Sequence, residues 1–367
     1  MWSTSVDGGT NWTAPQPAPG VTACTGNEQL EPPSAPMFPE FASDPNVSVG
    51  VDGAAYLASV HAQPVIPMVC CGHVLVSASR DNGLHWAAPT SVDEPQNTGR
   101  SDPAFVTADP RISGRAYLAW NHLTPPSLKF AWTRDGGRTW SPASTAAVDA
   151  PGRVYDLAPL LVLSDGTLLL FFADYSLALE DASEQVMRST DGGKTWSAPV
   201  HVADHTYPVS AQRVTVAAGR DDHVYAAWTN MSTGQVMVVR SADGGRTWDA
   251  PRQVERRERA QLATVAVHQD GSVGLLWYDE RGGINGAEAW FAVSGDRGTT
   301  WRSVRLGGPF EGDVVLRTGS LLPLDNEPLG GYEGLVATRE GFTAAFVMTR
   351  PIARFGPSDV FVARIRL

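Results

Sequence analysis

Gly331-Tyr332-Glu333-Gly334 sets a phenol beside a carboxylate, a pair able to do covalent chemistry. A phenol is a poor nucleophile near pH 7 until a base takes its proton. Glu333, Glu280 and Asp279 are each candidates for that base, and Tyr278 adjoins the last two. Four arginines, Arg100, Arg153, Arg213 and Arg281, can clamp an anionic group, because a guanidinium grips a carboxylate through two parallel N–H bonds. Asp102 is the matching acid/base, with Asp44 as its alternative. Each competes with a structural role. Asp44 and Asp102 precede prolines and can cap a strand entry, while Asp102 and Asp279 stand two residues from Arg100 and Arg281 and can pair with them.

The balance of the chain limits what this chemistry acts on. Lys and Arg total 28 against 39 Asp and Glu, a net charge of −11, so the chain has no general affinity for nucleic-acid phosphates or anionic membranes. An anion site must therefore be a local patch of arginine. Hydrophobic residues at 43% and charged residues at 18% exclude wholesale disorder. No apolar run is long enough to span a membrane, and the greasiest stretch, 157–172, is broken by Ser164-Asp165-Gly166. Gly-x-Gly-x-x-Gly, Walker, His-Glu-x-x-His and Gly-x-Ser-x-Gly motifs are all absent, which removes nucleotide and zinc-protease readings. Cys24, Cys70 and Cys71 are too few for a metal site; they read as free thiols or as one disulfide. The run Arg252–Arg259 is interleaved with Glu255 and Glu258 and reads as a solvated segment. No metal and no cofactor are implied.

The elements that must position these residues announce themselves by repetition. Ser/Thr-x-Asp-x-Gly-x-x-Trp occurs six times, with its Asp at Asp7, Asp81, Asp135, Asp191, Asp243 and Asp296. A carboxylate can accept the N–H groups of a tight turn, glycine supplies a positive φ, and tryptophan anchors the turn to a neighbouring sheet. These Asp residues are therefore structural. Ahead of each motif run apolar strands such as Val74–Ala78 and Val236–Arg240, and ahead of those hairpins such as Gly114–Asn121 and Asp222–Asn230. Four short strands in each period of about 53 residues make a propeller blade. The expectation is an all-β chain, one domain over 1–367, forming a six-bladed β-propeller, with seven blades as the alternative. Inner strands fall near Asn46–Val51, Ala104–Ala108, Ala158–Leu163, Val214–Ala217, Leu262–Val267 and Gly334–Thr338, and the orphan motif Ser5–Trp12 is expected to supply the outer edge of the last blade.

The six motifs resemble the Asp-boxes, or BNR repeats, of bacterial sialidases and the wider sialidase-like superfamily. That resemblance implies a glycoside hydrolase cleaving a terminal acidic sugar, such as sialic acid, with a Tyr nucleophile in place of the usual carboxylate. Tyr332, which enters the last inner strand, matches the nucleophile; Glu333 or Glu280 matches its base and Asp102 the acid/base. Arg213 and Arg281, with Arg100 or Arg153 as the third, match the carboxylate triad, flanked by Asp279 and Tyr278. The Arg-Ile-Pro motif that such enzymes carry ahead of the first complete box has no counterpart here. Two other readings follow: a non-catalytic propeller that binds a glycan or a protein, and a polysaccharide lyase using a Tyr with His61 or His122.

Strand direction places the candidate residues. Asp-boxes join third and fourth strands, so entries into inner strands and turns between second and third strands share the opposite end. That end collects Arg, Tyr and acidic side chains within an acidic chain. The expected partner is a glycan, the expected state a monomer, and the expected location secreted or extracytoplasmic, although the opening Met-Trp-Ser-Thr has no signal-peptide pattern.

Overall fold

The computed structural model describes residues 2–16, 41–62, 72–93, 101–156, 159–178, 181–205, 214–230, 232–255, 259–280, 286–310, 333–349 and 358–367. It packs as two compact units, Met1–Leu177 with Val186–Pro199, and Ala178–Gln185 with Val200–Leu367. Among the described residues all regular structure is β, in six antiparallel sheets that are the blades of a six-bladed β-propeller.

Three sheets belong chiefly to the first unit. The first comprises β1 (Phe41–Val49), β2 (Ala55–Ala62), β3 (His73–Ser79) and β4 (Thr90–Ser91). The second comprises β5 (Ser101–Ala108), β6 (Ala116–Leu123), β7 (Pro126–Thr133) and β8 (Ser144–Val148). In the third, β9 (Arg153–Asp156) and β10 (Leu160–Val162) both pair with β11 (Leu168–Ser176), followed by β12 (Ala182–Ser189) and β13 (Val200–His205).

The second unit holds the others. Its first sheet is β14 (Thr215–Ala218), β15 (Val224–Asn230), β16 (Gln235–Ser241) and β17 (Arg252–Gln253). Next come β18 (Ala260–Val267), β19 (Val273–Asp279), β20 (Ala287–Ser294) and β21 (Arg302–Phe310), and then β22 (Gly334–Thr338), β23 (Gly341–Thr349) and β24 (Ser358–Arg366). All six expected inner strands are present. The last sheet has three strands among the described residues. Trp2 bridges Gln16, Thr4 Oγ1 donates to the Asn82 carbonyl at 2.9 Å, and Trp2 meets Trp86 edge-on, so the Ser5–Trp12 hairpin leans on the first blade's own box; the segment that follows it lies outside the described residues.

The second strands β6, β11, β15 and β19 are buried on both faces, which is why they read as apolar runs instead of alternating ones. Leu168 to Ala173 are all buried, and Val273 to Asp279 likewise. Cores lie between successive sheets: Tyr56, Val76, Val106 and Trp120 pack together in the first unit, and Tyr225, Val238, Leu275 and Trp277 in the second.

The boxes join third and fourth strands, and those at Gly137, Gly193 and Gly298 seat their blade on the one before. Ser189 Oγ donates to Asp191 Oδ1 at 2.8 Å and accepts the Gly193 N–H at 2.9 Å. Lys194 and Thr195 N–H donate to the same carboxylate oxygen, and Thr195 Oγ1 to the other at 2.6 Å. Gly193 has φ +86°, and a Cβ there would lie 2.1 Å from the Phe130 ring of the preceding blade, against which Trp196 also packs edge-on at 5.4 Å. Gly137 repeats this against Ala78 and Tyr56. Glycine is required here by both backbone and space.

Candidate active site

Opposite the boxes, several inner strands carry a bulge near their start. Ser43 pairs with Val60 but Asn46 with Ala58, so β1 carries one extra residue around Asp44-Pro45. The same slip occurs in β5 around Asp102-Pro103 and in β18 around Leu262-Ala263. Between β9 and β10 it recurs, since Asp156 pairs with Ala173 and Leu160 with Leu170. A bulge re-aims side chains, and a proline suits it because no ladder N–H is needed there. Asp44 takes φ +52° in its bulge, a backbone state that Asp tolerates better than most residues.

Second strands end at this same side. Counted from the residue paired with the last inner-strand residue, their seventh positions are His61, His122, Asp174, Asn230, Asp279 and Val347. Five of the six are polar, where the preceding positions are largely apolar.

In the first unit these groups form a connected cluster. Arg153 Nε donates to Asp174 Oδ1 at 2.6 Å, and its terminal nitrogen to the Asp174 carbonyl at 3.1 Å. Asn121 Nδ2 donates to Asp156 Oδ1. The Tyr155 N–H donates to Asp149 Oδ2 at 3.1 Å, and the Arg153 N–H to the Ala150 carbonyl, closing a short loop that presents Arg153. Burial raises the Asp149 carboxyl above the usual carboxylate range, reinforced by the charges of Asp156 and Asp174 against the opposing Tyr155 N–H bond. Burial, then the Asp174 charge, pushes the Tyr155 phenol up, and its ring packs on Phe172 at 4.7 Å. Sequence reasoning missed Asp149; its only signal was its place just ahead of the inner strand.

In the second unit the carboxylates have different employment. The Tyr278 hydroxyl donates to the Val347 carbonyl at 3.0 Å and accepts the Val347 N–H at 2.8 Å, tying two blades together. Burial, then the Glu333 charge, pushes its phenol well above the usual range, so it stays protonated. Tyr278 is 1% exposed and is placed as a wall of this end, not as an open substrate contact. Gln261 Nε2 donates to Glu280 Oε2 at 2.7 Å, which orients the Glu280 carboxylate. Asp279 is buried, opposite Ala260 across the ladder.

Of the residues singled out from sequence, the structure brings Arg153 into the first-unit cluster and places Asp102 at the β5 bulge. Glu280, Asp279, Tyr278 and Glu333 share one end of the second unit's sheets. Tyr332, Arg100, Arg213 and Arg281 lie outside the described residues, as do all three cysteines. Among the described residues no group of three or more His, Cys, Asp or Glu side chains is arranged to hold a metal ion, and no helix is long and apolar enough to cross a membrane.

Comparison with known proteins agrees with this architecture. The BNR/Asp-box repeat family model matches residues 187–198, the box built on Asp191. No curated protein matches the chain by sequence. Among solved structures, the Hadza microbial sialidase Hz136 superposes with a TM-score of 0.59 at 17% identity, over 84% of this chain and 63% of that one. The chain thus spans somewhat under two thirds of that sialidase. An α-L-arabinofuranosidase from Fusarium graminearum gives 0.56 at 15% identity, over 88% of this chain and 93% of its own. A polysaccharide lyase, an ulvan lyase, gives 0.54 at 10% identity, over 84% of this chain and 79% of its own. At such identities the likeness is one of fold.

Proposed function

We propose that this chain, a sialidase-like propeller built on BNR/Asp-box repeats, acts on glycans as a glycoside hydrolase of the sialidase type, releasing a terminal acidic sugar. The observation that carries the reading is the polar end opposite the boxes, where bulged strand entries and second-strand ends gather carboxylates, amides and Arg153. Proteins of similar fold include a sialidase, an arabinofuranosidase and a polysaccharide lyase, which supports carbohydrate as the substrate class.

In this reading Tyr332 attacks the anomeric carbon while Glu333, or Glu280, takes the phenolic proton. The bond to the leaving oxygen breaks as Asp102 protonates it. Water, deprotonated by the same aspartate, then releases the sugar and restores the phenol. A neutral nucleophile suits an anionic sugar, since a carboxylate would be repelled by it. Arg100, Arg213 and Arg281 would bind the sugar carboxylate; Arg153, already braced by Asp174, offers a fixed guanidinium edge, and Asp279 and Tyr278 back the pocket. The protein would work outside the cytoplasm, where such glycans are displayed.

Hydrolysis of a fluorogenic sialoside by wild type and Tyr332→Phe tests the mechanism. Turnover that falls at least ~10³-fold in the variant supports it, while equal turnover overturns the nucleophile. A glycan-binding propeller without turnover is the second reading, favoured by the commitment of Arg153 to Asp174.

A further inference from the structure

Asn121 is 2% exposed, at the sixth position of β6 counted from Ala116. The other two second strands of the first unit carry Val60 and Ala173 there, both equally buried. An amide thus replaces an alkyl side chain at a core position, and burying an amide is unfavourable unless its polar atoms are satisfied. They are satisfied only in part. Nδ2 donates to Asp156, which fixes the orientation of the group, but the buried Oδ1 has no hydrogen-bonding partner in the protein. Nearby, the buried Oδ1 of Asp149 also lacks one, while its Oδ2 is held by the Tyr155 N–H. Tyr278 shows the contrast: it is a polar residue at the same position of β19, and its hydroxyl is fully used by the Val347 backbone.

We propose that Asn121, with Asp149 and Asp156, forms a subsite that reads sugar hydroxyl groups, Asn121 Oδ1 accepting from one hydroxyl and Asp149 Oδ1 engaging its neighbour. The inference rests on the glycan-active reading above and names the part of the site that recognises the ring. A hydroxyl fits because it both donates and accepts, so it serves the Asn carbonyl and serves Asp149 in either protonation state. A cation fits worse: the Arg153 guanidinium already lies 2.6 Å from Asp174 in the same cluster. A site with an unmet buried acceptor discriminates strongly against ligands that cannot supply the donor.

The test uses the full chain and Asn121→Val, the residue type found at Val60. Methyl α-sialoside, methyl α-L-arabinofuranoside and methyl β-galactoside are titrated calorimetrically into each protein, with melting temperatures recorded. At least one glycoside is expected to bind wild type and to bind the variant roughly tenfold more weakly or worse, with a melting temperature within a few degrees of wild type. A monodeoxy analogue lacking the contacted hydroxyl is expected to bind both proteins alike, which a merely misfolded variant would not do. Equal affinity of the two proteins for every glycoside that binds overturns the subsite, and so does failure of all three to bind wild type. Binding of a neutral glycoside through Asn121, with no sialoside turnover, keeps the subsite and removes the sialidase reading.

Discussion

The two ends of the blades are built on opposite rules. At the box end one hydrogen-bond pattern recurs: Ser79, Thr133, Ser189, Ser241 and Ser294 each donate to their aspartate and accept the glycine N–H of the same turn. At the other end the backbone bulge recurs with less constant side chains: Asp-Pro at 44–45 and 102–103, but Leu262-Ala263 in the same structural place of β18. Repetition marks the scaffold, and departure from it marks where ligand chemistry can be installed. Asn121 is the sharpest such departure.

Substitutions can break or sharpen that contrast. The largest loss is expected from Gly193→Ala, which combines an unfavourable φ with a clash against Phe130; denaturant unfolding should show about 3 kcal/mol or more. Tyr278→Phe tests the contrast from the other side, because this residue stands at the polar end yet does structural work. Losing both bonds to the Val347 backbone should cost about 2 kcal/mol by the same measurement, and an unchanged midpoint would return Tyr278 to the list of substrate contacts. Ser189→Ala removes two buried bonds from one box and should cost about 1–2 kcal/mol.

The boxes also predict an acid limb. Asp7 and Asp81 are held at about 2, chiefly by backbone N–H donors from Asn11 and His85. Their folded values lie below the unfolded value of about 3.9, so their contribution is present above about pH 4 and is lost as pH falls towards 2. Urea midpoints measured from pH 5 to pH 2 should fall steadily, and Asp81→Asn should flatten that slope. The smallest effect is expected from Arg153→Gln. Its ion pair is partly exposed and should contribute below about 1 kcal/mol to folding, while binding of an acidic glycoside should weaken measurably if the arginine edge serves the ligand.

The scaffold was legible in the sequence because one turn needs the same Ser/Thr, Asp, Gly and Trp every time it is built. The six inner strands followed from box spacing together with the apolar runs and hairpins ahead of the boxes. The bulges were not legible: an extra residue in a ladder is a property of register, and only the Asp-Pro pairs at 44–45 and 102–103 hinted at it. Arg153 was found by residue type, but its bond to Asp174 depends on β9 pairing with β11 across a break that no periodicity marks. Asn121 was visible only as the end of a hairpin; its value appears when second strands are aligned by register and the alkyl residues Val60 and Ala173 emerge at that position.

The seating of each box on the blade before it has a consequence for how such chains change length. The Gly137 box rests on Tyr56 and Ala78, the Gly193 box on Phe130, and the Gly298 box on Tyr225. Each of these three repeats therefore carries a plug at one flank, and the blade before it the matching socket. A duplicated repeat arrives with a plug that fits its parent and a socket that fits the next, so gene duplication can lengthen the series by whole units without inventing a new junction. A break inside a unit leaves plug and socket unmatched, which favours inheritance in steps of one blade.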